Sequence, residues 1–180
     1  MIHTQRKSSS SNSSVTKLPD AETLLPRLAA ELQGHITPAT AMIGLHTGGA
    51  WVAERLHPLL GLKDPLGLMD IAFYRDDYAK EGLKHDPKRT RIPFEVEGRD
   101  LLLVDDVLYT GRTVRAALNE IFDYSRPKSI SLTVLVDRGG RQLPIAAQYC
   151  GAQVEVPEGM RLRLKRAANG RLSLELERGE

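Results

Sequence analysis

Apolar side chains in this chain fall into two kinds of pattern. Short continuous runs at residues 41–45, 68–74, 101–104 and 130–136 are bounded by polar or glycine-containing turns, which predicts buried strands. Between them the spacing becomes helical. Leu24, Leu25, Leu28 and Leu32 share one face behind Asp20, a residue suited to cap a helix, with Pro26 either kinking that helix or restarting it. Trp51, Val52, Leu56, Leu59 and Leu60 predict a second helix, and Val114, Ala117, Leu118, Ile121 and Phe122 a third. Strands alternating with helices imply an α/β fold, a mainly parallel twisted sheet flanked by helices. Toward the C-terminus, residues 161–165 and 171–177 alternate leucine with polar residues around Ala167, Ala168, Asn169 and Gly170. That pattern predicts an antiparallel hairpin, at the sheet's edge or on a partner surface.

Two segments have almost nothing to bury. Residues 1–17 surround six serines and one asparagine with Arg6, Lys7 and Lys17, the composition of a mobile N-terminal arm. Residues 75–91 are polar and charged, a long loop or exposed hairpin of the length that usually carries function. The remaining 18–180 fit one domain, since 180 residues with 41% hydrophobic and 27% charged side chains support a single core. Twenty-five Lys and Arg against 23 Asp and Glu leave a net charge of +2, too little to imply a nucleic-acid or membrane partner by charge alone. The single cysteine, Cys150, excludes an internal disulfide framework and fits a reducing compartment. No apolar run approaches the ~18 residues of a spanning helix, and no signal-peptide pattern opens the chain. A cytoplasmic location is the expectation.

The chemistry concentrates after the third strand. In Leu-Leu-Leu-Val-Asp-Asp-Val-Leu-Tyr-Thr-Gly-Arg-Thr-Val (residues 101–114) the strand ends in Asp105 and Asp106, and a polar turn opens a helix. Amides of Thr110, Gly111, Arg112 and Thr113 lie where a helix begins, with unused donors at the positive end of its dipole. They suit a phosphate, with hydroxyls from Thr110 and Thr113 and either charge or turn closure from Arg112. The paired acids cannot attract that phosphate and match sugar hydroxyls or a metal instead. A phosphate beside a vicinal diol describes ribose 5-phosphate. No P-loop and no G-x-G-x-x-G fingerprint occurs, so ATPase and dinucleotide readings fall away.

These residues resemble the type I phosphoribosyltransferases, whose signature is an apolar strand, paired acids and a Thr-Gly turn that binds phosphoribosyl pyrophosphate (PRPP). Val-Asp-Asp-Val-Leu-Tyr-Thr-Gly-Arg-Thr (104–113), Asp70-Ile-x-x-Tyr-Arg-Asp-Asp77, Arg91-Ile-Pro-Phe94 and Leu135-Val-Asp-Arg-Gly-x-Arg-x-Leu-Pro-Ile145 narrow the resemblance to the PyrR family, pyrimidine operon attenuators that also act as uracil phosphoribosyltransferases. The resemblance implies the type I phosphoribosyltransferase fold, with a small hood and a flexible flap. It also implies that Asp105, Asp106, Val107, Tyr109, Thr110, Gly111, Arg112 and Thr113 hold the ribose and its 5-phosphate. Thr47, Gly48 and Gly49, behind His46, would face the pyrophosphate. Residues 75–91 would be the flap, with Arg75, Lys88, Arg89 or Arg91 reaching the leaving group. Residues 136–145 would form the hood, where Val136, Asp137 and Arg138 contact the base; Arg138 and Arg141 can alternatively be read as surface arginines that hold the loop.

The implied reaction converts uracil and PRPP to UMP and pyrophosphate with Mg2+, with Asp105, Asp106 and Arg75 as the candidate catalytic residues. The implied partners are PRPP, uracil, UMP or UTP, possible RNA, and a second copy of the chain in a homodimer or higher assembly. Two other readings stay open: a weakly catalytic UMP- or UTP-sensing regulator that attenuates transcription through RNA, and a transferase for a purine or orotate. The chain departs from its family at particular positions. Thr47-Gly48-Gly49 stands where members read Thr-Arg-Gly, Gly140 where they have His, and Ala146 and Ala152 where they have basic residues. The basic cluster of Arg161, Arg163, Lys165 and Arg166 either compensates for those losses toward RNA or is a solvated strand face.

Overall fold

The computed structural model describes residues 17–71 and 90–179. The expected arm, residues 72–74 of the second strand run, and nearly all of the expected flap, including Arg75, Lys88 and Arg89, lie outside the described residues. Helix α1, Ala21–Gln33, begins at Asp20, whose carboxylate accepts the Glu22 N–H at 3.2 Å. Pro26 sits inside the helix without ending it, and Leu24, Leu25, Leu28 and Leu32 are all buried. Strand β1, Ala41–Leu45, is buried throughout and leads to helix α2, Gly48–Leu60. There follow β2, Gly67–Met69; β3, Asp100–Leu108; helix α3, Arg112–Tyr124; β4, Ser129–Asp137; and β5, Tyr149–Gln153.

The five strands form one sheet in the order β2-β1-β3-β4-β5, and every pairing is parallel. Parallel strands covered on both faces need apolar residues at every position, which is why residues 101–104 form an unbroken run. Leu102 and Val104 point into a core shared with α1 and α2, while Leu101 and Leu103 point into the opposite core with Val114, Ala117 and Ile121 of α3.

Strands β6, Met160–Arg166, and β7, Leu172–Arg178, pair antiparallel in a separate two-stranded sheet. The hairpin therefore does not extend the main sheet. Leu162, Leu164, Leu172 and Leu174 are each at most 8% exposed and complete the α1–α2 core. Apolar residues that seemed available for a partner are consumed inside the chain, so they give no argument for a dimer. The hairpin's outer face is charged, and Arg163 and Lys165 both pair with Glu177, at 3.1 and 2.5 Å, while Arg166 pairs with Glu54 of α2 at 2.8 Å. Arg163, Lys165 and Arg166 thus have acidic partners, as on a solvated face.

Three further departures have local causes. Among the described residues the second strand covers only Gly67–Met69; Arg91 bridges Leu68 in the antiparallel sense, and the Asp70 N–H turns to Thr90 Oγ1 at 3.2 Å. Phe122 continues the helical spacing of α3 but is 49% exposed. Strand β5 has no apolar run and was not expected.

One polar knot fastens the first helix to its neighbours. Glu22 of α1 accepts both terminal nitrogens of Arg55 of α2, at 3.1 and 2.6 Å, and the Leu172 N–H of β7 at 2.8 Å. The Arg55 hydrogen bond, then the Leu172 amide, hold the Glu22 carboxyl below its ordinary pKa. Both side chains are partly exposed, so Glu22→Ala should cost only about 1 kcal/mol at neutral pH. Because the folded pKa is depressed, that contribution is complete above the ordinary glutamate value and is lost as pH falls through the folded one. Urea denaturation of both proteins at a series of pH values should show the difference shrinking in acid.

Candidate active site

From β1 the chain passes to β2 on one side, and β3 then takes the place on β1's other side. Open α/β sheets bind ligands at the carboxyl ends of strands where the order reverses in this way. Here the segment following β1 faces the one following β3. β1 ends its pairing at Gly44 opposite Val104, whereas β3 continues beside β4 through Asp105, Val107 and Leu108. Sequence reasoning ended this strand at the paired acids; the structure runs it four residues past Val104, because β4 still offers a hydrogen-bonding edge there.

Helix α2 starts in the space that β1 vacates. Gly48 and Gly49, read as loop residues in the sequence, form its first turn, and Thr47 holds the N-cap position without a side-chain cap bond. The preceding His46–Thr47 peptide is cis. Neither glycine has a positive φ; what they supply is room. A Cβ on Gly49 would stand 2.6 Å from the Val104 carbonyl oxygen and 2.8 Å from the Asp105 Cα. A Cβ on Gly48 would stand 2.0 Å from Asp106 Oδ2. The Asp106 carboxylate thus lies on the opening turn of α2, in space that any side chain at position 48 would claim.

The two acids are not equivalent. Asp105 is 4% exposed, and its Oδ1 accepts the Asp106 N–H at 2.9 Å. Asp106 and Val107 are only half-buried, so Asp106 is the acid more open to a ligand. Beyond them Tyr109 is 46% exposed and Thr110 buried, and Gly111 caps α3. Helical bonding starts where the Arg115 N–H meets Gly111 O at 2.9 Å, leaving the preceding amides ahead of the ladder. The Arg112 amide is used within the turn, on Thr110 Oγ1 at 3.3 Å, and its side-chain Nε donates to Gln142 Oε1 at 3.1 Å. Of the two roles open to Arg112, closing the turn is the one seen. Thr113 is half-buried at the start of α3.

Residues 138–145 are laced to this turn. The Arg138 N–H donates to Leu108 O at 3.0 Å, and the Gln142 and Leu143 amides donate to Thr110 O at 3.0 and 3.2 Å. Gly139 and Gly140 take the left-handed conformation, with φ +71° and +72°, which folds the chain back so that Arg141 reaches Asp137. Asp137 Oδ1 accepts the Gly139 N–H at 2.8 Å and Oδ2 accepts Arg141 at 2.5 Å. Burial alone would raise the Asp137 pKa, but the Arg141 hydrogen bond and the Gly139 amide together outweigh it and hold the carboxyl low. The other Arg141 nitrogen donates to Tyr109 O at 2.5 Å.

Among the residues expected to meet a base, Val136 is wholly buried between Val107 and Ala152 in the sheet, so only its main chain is available. Asp137 is bound within the hood. The Arg138 guanidinium stacks 4.0 Å from the Tyr109 ring and donates to Met160 O at 3.4 Å. The ties made by Arg141 follow the alternative reading of it as an arginine that holds the loop, whereas the tie made by Gln142 was not foreseen. Among the described residues no cluster of three His, Cys, Asp or Glu could hold a metal. No helix of the described residues is long and apolar enough to cross a membrane.

Residues 11–158 match the family described as phosphoribosyl transferase domain. The Bifunctional protein PyrR of Pseudomonas paraeruginosa is 45% identical over 151 residues, covering 82% of this chain and 89% of that protein. The Bifunctional protein PyrR of Ralstonia nicotianae is 50% identical over 155 residues, with 84% and 88% covered. This chain belongs to the PyrR family of phosphoribosyltransferases. Among solved structures, a hypoxanthine-guanine-xanthine phosphoribosyltransferase superposes with a TM-score of 0.56 at 25% identity over 76% of this chain and 74% of that one. A hypoxanthine-guanine phosphoribosyltransferase from Bacillus anthracis, at 19% identity, shares the fold with a TM-score of 0.60 over 78% and 82% of the two chains. The PyrR sheet and its paired-acid turn are thus built on the type I phosphoribosyltransferase fold.

The two glycines of α2 should respond differently to substitution. Gly49→Ala drives a methyl group into the backbone of β3, which cannot rotate away, and should cost roughly 2–3 kcal/mol. Gly48→Ala meets only the Asp106 side chain, whose carboxylate can rotate although its Cβ must shift, and the better helix propensity of alanine offsets part of the strain, so its cost should be smaller, roughly 1–2 kcal/mol. Urea denaturation midpoints would order them.

Proposed function

We propose that the chain is a uracil phosphoribosyltransferase that makes UMP and pyrophosphate from uracil and PRPP, and that it also serves in regulating pyrimidine genes. What carries the reading is the meeting, at one switch point of the sheet, of the paired acids, the phosphate-type turn before α3 and the glycine-opened start of α2. The choice of uracil rests on kinship with PyrR proteins; the structural neighbours named for purines share the fold.

In the reaction a ring nitrogen of uracil forms a bond to the anomeric carbon while the bond to pyrophosphate breaks, its electron pair leaving with pyrophosphate. The base also gives up its N–H proton, which passes to solvent. Positive charge grows on the sugar, so the protein's task is positioning and charge balance. In this reading, amides and hydroxyls of Thr110, Gly111 and Thr113 hold the 5-phosphate, and Asp106, with Asp105 behind it, orients the ribose hydroxyls and faces the developing charge. Gly48 and Gly49 bring no cation to the pyrophosphate, only the amides and dipole of α2. The Asp106 carboxylate is a hard oxygen donor suited to magnesium, which would travel with the phosphate oxygens, since the described residues make no closed cage of their own. When bound, Mg2+ would neutralise the leaving group. The hood offers uracil mainly backbone edges around 136–138.

The test is turnover with uracil, PRPP and magnesium beside a panel of hypoxanthine, guanine and orotate. Pyrophosphate release should depend on uracil and disappear in the Asp105→Asn, Asp106→Asn double variant while the fold persists. Release with a purine and not with uracil would overturn the base assignment. The regulatory role draws on the name bifunctional carried by the relatives. With Arg163, Lys165 and Arg166 paired to acids, RNA affinity should depend shallowly on salt, losing less than about tenfold between 50 and 200 mM, against the 10³–10⁵ typical of extensive phosphate contact.

A further inference from the structure

We infer that Arg141 is a positioning residue that couples the phosphate-binding turn to the base-facing hood, so that the two ends of a bound nucleotide are read by one rigid unit. The inference rests on the proposed function above and deepens it.

The two segments are remote in sequence and differ in task. Residues 109–113 are placed for a phosphate and residues 136–138 for a base. One planar guanidinium spans them, donating to Tyr109 O on the turn and to Asp137 Oδ2 in the hood, both at 2.5 Å. A fork of this geometry fixes the separation and the angle of its two acceptors together, which a single ammonium point charge cannot do. Asp137 is itself oriented by the Gly139 amide, so the pull of Arg141 is transmitted to the β4 end and not absorbed by a loose carboxylate. Arg141 and Asp137 are 24% and 18% exposed at the side chain, sheltered enough for the pair to retain its strength. The fold does not need this clip for closure. Main-chain bonds from Arg138, Gln142 and Leu143 already tie the segments, and Arg141 adds a side-chain tie between the Tyr109 carbonyl and the Asp137 carboxylate.

The same geometry changes the role of Asp137. Both carboxylate oxygens have partners within the hood, so the acid shapes the base pocket without having to touch the base.

Calorimetric titration with ribose 5-phosphate, which can use only the turn, and with UMP, which uses the turn and the hood, tests the coupling without requiring catalysis. In Arg141→Ala the affinity for ribose 5-phosphate should stay within about twofold of wild type while UMP weakens by about tenfold, the effect of losing a charge-assisted hydrogen bond. Asp137→Asn keeps the Gly139 contact and should reproduce that selective loss. The double variant should be no weaker than either single one, the mark of a shared interaction. Arg141→Lys should not restore UMP binding. Arg141→Ala would overturn the proposal by leaving the ratio of the two affinities unchanged, whether both ligands weaken in parallel, as a merely structural role would have it, or neither does. Should Arg141→Ala fail to fold, Asp137→Asn and Arg141→Lys decide by the same ratio. If the wild-type protein binds neither ligand, the phosphoribosyl reading itself fails and takes the coupling with it; if it binds both and only the ratio test fails, that reading stands and the role of Arg141 does not.

Discussion

Everything at the candidate site depends on how closely α2 approaches β3. Because β1 stops at Leu45 and β3 does not stop until Leu108, the second helix can start alongside strand backbone, and the missing side chain of Gly49 is what allows the approach. This contact puts the amide end of a helix, the two aspartates and the turn before α3 within one corner. It also gives the corner an unusual charge distribution, with Asp106 resting where a side chain at position 48 would project. An acid stands over the helix start where a cation would be the simpler choice for a pyrophosphate.

Most of the fold was legible because burial leaves regular marks. Fully buried strands show as unbroken apolar runs, and the helices as leucine and alanine at three- and four-residue spacing, so β1, β4, α1 and the final hairpin could be placed to within a residue or two. Strand β5 could not, because Tyr149, Cys150, Gly151, Ala152 and Gln153 form a strand only by pairing with an edge that β4 happens to leave open. Phe122 misled for the opposite reason: periodicity continues to the end of α3, where among the described residues this ring is 49% exposed.

At the site, the sequence identified which residues assemble and misjudged how. The acids and the turn were grouped by their position after the third strand and the first glycines by the family resemblance, and the structure sets Gly48 and Gly49 against Asp106 and Asp105. Their internal bonding was not visible. That Asp137 and Arg112 are engaged by neighbours depends on the left-handed pair Gly139 and Gly140 and on the return of Gln142 to the turn, and these follow from backbone angles that residue types alone do not fix. Residues assigned to touch a ligand thus turned out, in part, to touch one another.

The knot at Glu22 carries a consequence for how the molecule is made. Its carboxylate closes on an amide 150 positions further along the chain, and the leucines of β6 and β7 supply the outer wall of the core that α1 begins. During synthesis the first helix therefore emerges with an oily flank whose native cover stays incomplete until the hairpin has left the ribosome. The central sheet can assemble meanwhile, but sealing is deferred, and such long-range closure is intrinsically slow and leaves sticky surface open to chaperones.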